Sequence, residues 1–437
     1  MDVARVQENP FASEANPWPN IRASRIVKLL PEAMRLAGVD VWLVACRENN
    51  NDPLAVHVGG EGAGAPAVFL FELQGDEVAS VAFSPWGEAT AIRELELHDR
   101  VVEFERGGNV WRLVSDELKR VDPRTIGVNC SSLPIADGLS WTQRRAMEEA
   151  LGPELSGRLV SAEDLVAEWL SVKLPEEVDI MRRAGALTVQ LEREAYNTVV
   201  PGKTRDIDVA NHIRRRVEEL GVGWGWSPDH NPSVNSGIPR GHAGPSDKVI
   251  EPGDFIQTDF GIKVHGMWCT DYQRFAYVLA PGETEAPPEA LQKWEYARKG
   301  HRLVRERMKP GMRGYEVDQV QREWMEETGS LPVNWGTGYP PGHLGHFGTG
   351  HPVGYWAHDI GPYLGGGQYE GPPEGAACRV LRPGQTFAYD GFYAWEVDHE
   401  GGKAEKMISV EEMVVVTEDG AEHLVPPHEE LILMPSR

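Results

Sequence analysis

The chain reads as an α/β protein of two domains. An N-terminal α/β domain spans 1–172, and an α+β domain with an internal repeat spans 173–437. Three observations predict this. A length of 437 residues exceeds what one ordinary core fills, so two domains are expected. Helical and strand patterns alternate through the first 170 residues or so. Beyond residue 173 the texture changes, and two similar helix–strand segments follow one another.

In the first domain, IRASRIVKLLPEAMRLAG (21–38) has helical spacing and a closing glycine. It leads into DVWLVAC (40–46), a short apolar run of strand type. AVFLFEL (67–73), VASVAFS (78–84), RVVEF (100–104) and TIGVNCS (125–131) predict further strands, with helices near 108–121, 137–151 and 161–172. GGEGAGAP (59–66) lacks the glycine order of a phosphate-binding loop and reads as a plain loop.

The second domain opens on PEEVDIMRRAGALTVQLEREAYNTVV, a long amphipathic helix. VVPGKTRDIDVANHIRRRVEELG (199–221) then resembles RMKPGMRGYEVDQVQREWMEETG (307–329): Pro-Gly, a short turn, and a helix closed by glycine. Each half continues to a second Pro-Gly and an apolar strand, PGDFIQTDFG (252–261) and PGQTFAYDGF (383–392). Asp259 stands six residues beyond Gly253, and Asp390 six beyond Gly384. A duplicated unit sets equivalent positions around a pseudo-twofold axis, so the two aspartates are expected to be partners.

Composition narrows the function. Hydrophobic content of 41% and charged content of 25% describe a folded protein. A formal net charge of -24 argues against a nucleic-acid partner, which needs a basic face. Cys46, Cys130, Cys269 and Cys378 are far apart, with no CxxC pair, so neither a disulfide framework nor a zinc-thiolate site is expected. The opening residues lack a signal-peptide pattern and no apolar run approaches membrane-spanning length. A cytoplasmic protein with no membrane partner is the expectation, export not being excluded by a trimmed start.

The acids carry the chemistry. Asp271 lies inside a second apolar strand pattern, and MISVEEMVVVTEDG offers Glu411 and Glu412, one of which must point inward. Each half thus presents a hairpin with one acid per strand, and GHFGTGHPVGYWAHDIGPY (345–363) runs between them. Three or four inward carboxylates plus one imidazole are costly to hold together with no cation at their centre. Hard oxygen ligands with one nitrogen suit Mn²⁺ best, with Co²⁺, Fe²⁺ and Zn²⁺ as alternatives. A pair of such ions bridges a water, lowers its pKa and polarises a carbonyl.

These residues resemble the creatinase/aminopeptidase P/prolidase family of M24-type metallopeptidases, over roughly 173–437. NSGIPRGHAGPSD (235–247) is similar to the family's early histidine segment, and QTDFG…TDYQR to its paired-aspartate hairpin. GTGHPVG…HDIG is similar to its metal-histidine loop, and ISVEEMVVVTEDG to its final glutamate strand. The resemblance implies a creatinase-like N-terminal domain and a pita-bread catalytic domain. It implies Asp259, Asp271, His351, Asp390 and Glu411 as metal ligands, Glu411 rather than Glu412 being the aligned glutamate. It places His242 near the leaving amide nitrogen and His358 at the substrate carbonyl or oxyanion, with Asp390 as general base. HDIG points to the proline-specific members, hence to Xaa-Pro dipeptides or short peptides cleaved by a metal-bridging hydroxide. A homodimer is also implied, with the N-terminal domain restricting substrate size and supporting oligomerisation.

The chain departs from the family pattern at three points. Asp390-Gly391-Phe392 replaces Glu-Pro-Gly, which shortens the base by one methylene, about 1.5 Å. The Asp259–Asp271 spacing is one residue longer, which a β-bulge is expected to absorb. Ser409 stands where an arginine is usual, two residues before the glutamate.

Blander readings stand beside these. Asp259 and Asp271 read as strand-end acids, Glu411 as an edge acid, and His242, His351 and His358 as structural histidines. His343 and His346 are as readily loop residues, Glu396 is a fallback base more readily a turn acid, and Gly365–Gly367 reads as a loop. Trp335, Tyr339, Tyr355 and Trp356 either line a proline pocket or pack the core. Two rivals to the peptidase remain: a metal-independent, creatinase-like amidinohydrolase and a catalytically silent pita-bread binding module.

Overall fold

The computed structural model describes residues 5–240, 243–331, 348–366 and 375–435. The chain divides into two compact units, residues 17–170 and a second formed by 171–437 with the residues up to Asn16. The start of the chain groups with the second unit because its contacts lie there. Arg216 Nη2 donates to the Val6 carbonyl at 2.5 Å, and the Arg183 guanidinium sits over the Phe11 ring at 4.6 Å.

The unit 17–170 is a six-stranded sheet in the order β4-β3-β2-β1-β5-β6. Its strands are β1 (Val41–Cys46), β2 (Ala67–Gln74), β3 (Glu77–Pro85), β4 (Arg100–Phe104), β5 (Ile126–Val128) and β6 (Leu159–Ser161). Neighbours β1, β2 and β3 run antiparallel, and the outer pairings are parallel. Val41, Leu43, Leu70 and Phe83 meet Val114 and Leu118 of helix Val110–Val121 and Met147 of Trp141–Ser156 in one apolar core. The helix expected over 21–38 is two, Trp18–Lys28 and Leu30–Ala37, broken next to Pro31. Proline lacks the N–H that an uninterrupted helix requires there.

The second unit carries β7 (Gly223–Trp224), β8 (Ser233–Ser236), β9 (Phe255–Phe260), β10 (Ile262–Val264), β11 (Trp268–Cys269) and β12 (Tyr272–Val278). Beyond them come β13 (Gly350–Pro352), β14 (Thr386–His399) and β15 (Gly402–Val416), with short β16 (Ala421–His423) and β17 (Ile432–Met434). The main sheet runs β13-β14-β15-β12-β9-β8. Helices Pro175–Tyr196 and Asp206–Leu220 precede β9 and β12, and Pro288–Arg307 and Gly314–Thr328 precede β14 and β15. The two halves meet at β12 and β15. The repeat extends to backbone detail: Gly253 and Gly384, which turn the chain into β9 and β14, have φ of +89° and +86°.

Between Asp259 and Asp271 the pairing keeps one register, Phe260 opposite Tyr272 and Val264 opposite Trp268, and Met267 is the odd residue, at the hairpin tip. The chain leaves the main sheet after β9, makes the β10–β11 hairpin, and pairs β10 with β7 in a separate small sheet. His265 and Gly266 both have positive φ, +50° and +70°, and Met267 N donates to Val264 O at 3.0 Å. That is a tight hairpin turn whose twist matches its strands. An excursion of this kind can change length by whole residues without re-aiming either aspartate. Among the described residues no helix is long and apolar enough to cross a membrane.

Candidate metal centre

Register builds the site. Ser233 pairs with Asp259, Asp259 with Gln273, Gln273 with Glu411, and Glu411 with Asp390, a single row across β8, β9, β12, β15 and β14. Residues directly opposite in antiparallel strands project to the same face. Asp271, two positions before Gln273, shares that face by strand alternation. The row thus gathers Asp259, Asp271, Asp390 and Glu411, all of them 8% exposed or less. Asp259, Asp271 and Glu411 each bring a carboxylate oxygen within 4.8 Å of the others.

Glu412 faces the other way. It accepts from Arg274 Nη2 at 2.9 Å, with both side chains essentially out of water. The same arginine donates through Nη1 to the Glu411 and Gln273 carbonyls, which ties the backbones of β12 and β15 behind the row.

His351 arrives on β13, whose pairing puts it opposite Ala388, two residues before Asp390. Gly350 makes this approach feasible, since a Cβ there would lie 2.3 Å from the Ala388 carbonyl oxygen. Thr349 is fixed by Asp318 of helix Gly314–Thr328 and in turn accepts from Asp390 N at 2.7 Å. His351 Nδ1 donates to the Pro352 carbonyl at 3.2 Å. That bond selects the tautomer with the lone pair on Nε2, the usual arrangement of a metal-binding imidazole. Nε2 lies 3.6 Å from Glu411 Oε1 and 3.8 Å from Asp271 Oδ2.

His358 is exposed at the edge of the site, its ring centroid 4.3 Å from that of His351. With Asp271 and His351 it forms a second group of clustered ligand atoms. Its loop is anchored from behind. Asp359 Oδ2 accepts from Tyr355 N at 2.9 Å and pairs with Lys173 Nζ at 3.3 Å, both side chains being buried.

The electrostatics ask for a cation. Burial holds the Asp271 carboxyl well above the usual carboxylate range, and Glu411, Asp259 and Asp390 push it the same way. The Asp390 carboxyl is likewise raised, by burial first and then by Glu411 and Asp259. Asp390 Oδ1 is buried and, among the described residues, has no hydrogen-bond partner. Stripped of positive charge, such a cluster resists ionisation; divalent cations among these oxygens and the one nitrogen would reverse that. The donor set therefore fits hard divalent metals.

The remaining predicted residues separate. Asp390 faces the cluster but stands outside both tight groups. Glu396, the fallback base, is exposed further along the hairpin and pairs with Lys403 at 3.2 Å. Tyr355 packs inside, its hydroxyl donating to Glu177 Oε1 at 2.5 Å. His242, Trp335, Tyr339, His343 and His346 lie outside the described residues. Sequence reasoning passed over Gln273, although its position two residues after Asp271 on an apolar strand signals the same face.

The comparisons agree with this architecture. A probable dipeptidase, PepE, from Mycobacterium tuberculosis is 28% identical over 381 residues, covering 85% of this chain and 84% of that one. The Xaa-Pro dipeptidase of Pyrococcus furiosus is 24% identical over 346 residues, covering 78% of this chain and 86% of its own. The solved Xaa-Pro dipeptidase from Bacillus anthracis superposes with a TM-score of 0.64 at 20% identity, covering 95% of this chain and 100% of that one, a likeness of fold. The fold is the mixed α/β arrangement of a creatinase-like N-terminal domain and a pita-bread C-terminal domain. The sequence model of Metallopeptidase family M24 matches residues 179–418, the stretch that carries every acid of the cross-strand row, and the chain belongs to that family.

Proposed function

We propose that the chain hydrolyses the imide bond of Xaa-Pro dipeptides or short peptides, with two divalent cations, Mn²⁺ favoured, held by Asp259, Asp271, His351, Asp390 and Glu411. The row of carboxylates closed by His351 is the observation that carries this reading. Relatives named as dipeptidases support the substrate class.

Bound divalent cations supply an acidified water and an electrophile for the substrate carbonyl. The chain's own residues manage the protons. As water attacks the carbonyl carbon before proline, Asp390 takes its proton. That proton returns to the prolyl nitrogen as the C–N bond breaks. His358, at the open edge of the site, donates to the carbonyl oxygen as negative charge develops there. His242 is assigned to the leaving-nitrogen side. Proline suits such a dedicated site because its missing N–H defeats recognition by ordinary peptidases. The N-terminal domain, 1–172, restricts substrates to short peptides in a cytoplasmic homodimer.

Turnover of Ala-Pro, Ala-Pro-Ala and creatine by the Mn²⁺-reconstituted chain tests this. Cleavage of either proline peptide, abolished by chelation, is expected. Creatine turnover without metal would replace the reading with the amidinohydrolase. Metal binding with no turnover would favour the silent module, to which the position of Asp390 outside both tight groups lends some weight.

A further inference from the structure

Gln273 stands between Asp259 and Glu411 in the cross-strand row, a neutral side chain among acids. Its neighbours settle its orientation. Oε1 accepts from Gln257 Nε2 at 2.5 Å and from Ser409 Oγ at 2.7 Å. Gln257 Nε2 donates to Ser409 Oγ as well, at 3.1 Å, so the serine hydroxyl proton is directed to Gln273. With its oxygen committed to two donors, the Gln273 amide turns Nε2 to Glu411 Oε2 and donates at 2.9 Å. Gln257, Gln273, Ser409 and Glu411 are all buried. The flipped amide would set N–H against N–H on one side and carbonyl against carboxylate on the other, leaving buried groups unsatisfied.

We propose that Gln273, locked by Gln257 and Ser409, is a positioning residue that holds Glu411 by Oε2 and keeps Oε1 turned to the metal centre. Oε1 is the atom that faces His351 Nε2 at 3.6 Å. The proposal rests on reading Glu411 as a metal ligand. It also gives Ser409 a role. Where the family resemblance leads one to expect an arginine, this chain completes a clamp with no net charge. A guanidinium beside Glu411 would offset part of the negative charge on which a cation depends. The amide orients the carboxylate and leaves that charge for the metal.

The test compares full-length wild type, Gln273→Met and Ser409→Ala, reading Mn²⁺ affinity by calorimetric competition with a chelator and the Tm of each metal-free protein. Gln273→Met keeps the volume and removes donor and acceptor; its Mn²⁺ affinity is expected to fall about ten- to a hundredfold, the usual range for such supports. Ser409→Ala leaves Gln257 on the amide, so a smaller loss, on the order of threefold, is expected. Ser409→Ala removes a single hydroxyl and decides the matter if Gln273→Met does not fold. Wild-type affinity in the folded variants, with only Tm lowered, would show a merely structural role and overturn the proposal. Wild type that binds Mn²⁺ but leaves Ala-Pro intact would sink the peptidase reading alone. Wild type that binds no Mn²⁺ would sink both.

Discussion

Asp390 stands directly opposite Glu411 in the register of β14 and β15, and its buried Oδ1 has no hydrogen-bond partner among the described residues. The two carboxyls share one face, yet only Glu411 joins the tight group with Asp259 and Asp271. A glutamate at 390 would extend the carboxylate by about 1.5 Å, the length of one carbon–carbon bond. Misplacement of about 1 Å can lower a rate roughly a hundredfold. Asp390→Glu is therefore expected to raise kcat on Ala-Pro about tenfold. Asp390→Asn, which cannot accept the proton, is expected to lower it at least about a hundredfold. Steady-state kinetics at saturating Mn²⁺ check both, and a loss of activity in Asp390→Glu would mean that the site is tuned to aspartate.

Asp271 is the acid most pressed by its neighbours, with Glu411, Asp259 and Asp390 all opposing its ionisation in a buried setting. Metal-free protein carries this repulsion, and metal-loaded protein turns it into binding energy. Saturating Mn²⁺ is expected to raise the Tm of wild type, by linkage about 2.7 kcal/mol of stability at a hundred times Kd. Asp271→Asn relieves one charge, so its metal-free form is expected to melt at or above the wild-type temperature and to gain little on adding Mn²⁺. Differential scanning calorimetry with and without chelator reads both arms. An equal Mn²⁺ shift in the variant would remove Asp271 from the ligand set.

Much of this site was legible because strand alternation is local. Asp259 and Asp390 announce themselves through a matched offset from Gly253 and Gly384, and the structure puts both in one row. The choice between Glu411 and Glu412 was legible from alternation only as a choice. Register with β14 turns Glu411 to the acids and Glu412 to Arg274. Gln273 and Ser409 were harder to read for the same reason. They meet Gln257 and Glu411 across strands as much as 152 residues apart, a relationship that no window of sequence contains. The pairing of the β10–β11 hairpin with β7 likewise joins segments that no local window of sequence contains.

Lys173 and Asp359 form a buried pair at 3.3 Å directly behind His358. Lys173 Nζ also donates to the Ser171 carbonyl at 3.2 Å and lies 5.0 Å from the Tyr355 ring centroid, so the loop closes around it. Removing one partner leaves the other charge buried without its counter-ion, a change that destabilises by about 3–5 kcal/mol. Lys173→Met is expected to lower kcat on Ala-Pro at least tenfold by loosening the His358 loop, while Mn²⁺ affinity, held by the sheet and β13, changes little. Calorimetric metal binding beside kinetics separates the two. A parallel fall in metal affinity would place the effect on His351 instead.

In the unit 17–170, the His98 ring packs against Phe69 and Phe71, at centroid distances of 5.1 and 5.8 Å. Nε2 donates to the Val58 carbonyl at 2.9 Å, and Nδ1 is buried with no partner among the described residues. A second proton would have to sit on Nδ1 with nothing to accept it. Burial accordingly brings the His98 pKa down to about 4, against the smaller raising effect of Val58. Between pH 4 and the unfolded value near 6.5, the unfolded chain binds this proton and the folded one does not. Stability from His98 is thus complete above pH 6.5 and falls with acid until pH 4, by at most on the order of 3 kcal/mol. His98→Gln cannot titrate, so the stability difference between wild type and variant is expected to shift in favour of wild type as pH rises through that window. Urea unfolding of the metal-free proteins at a series of pH values measures it, and parallel profiles would show that His98 keeps its unfolded pKa in the fold.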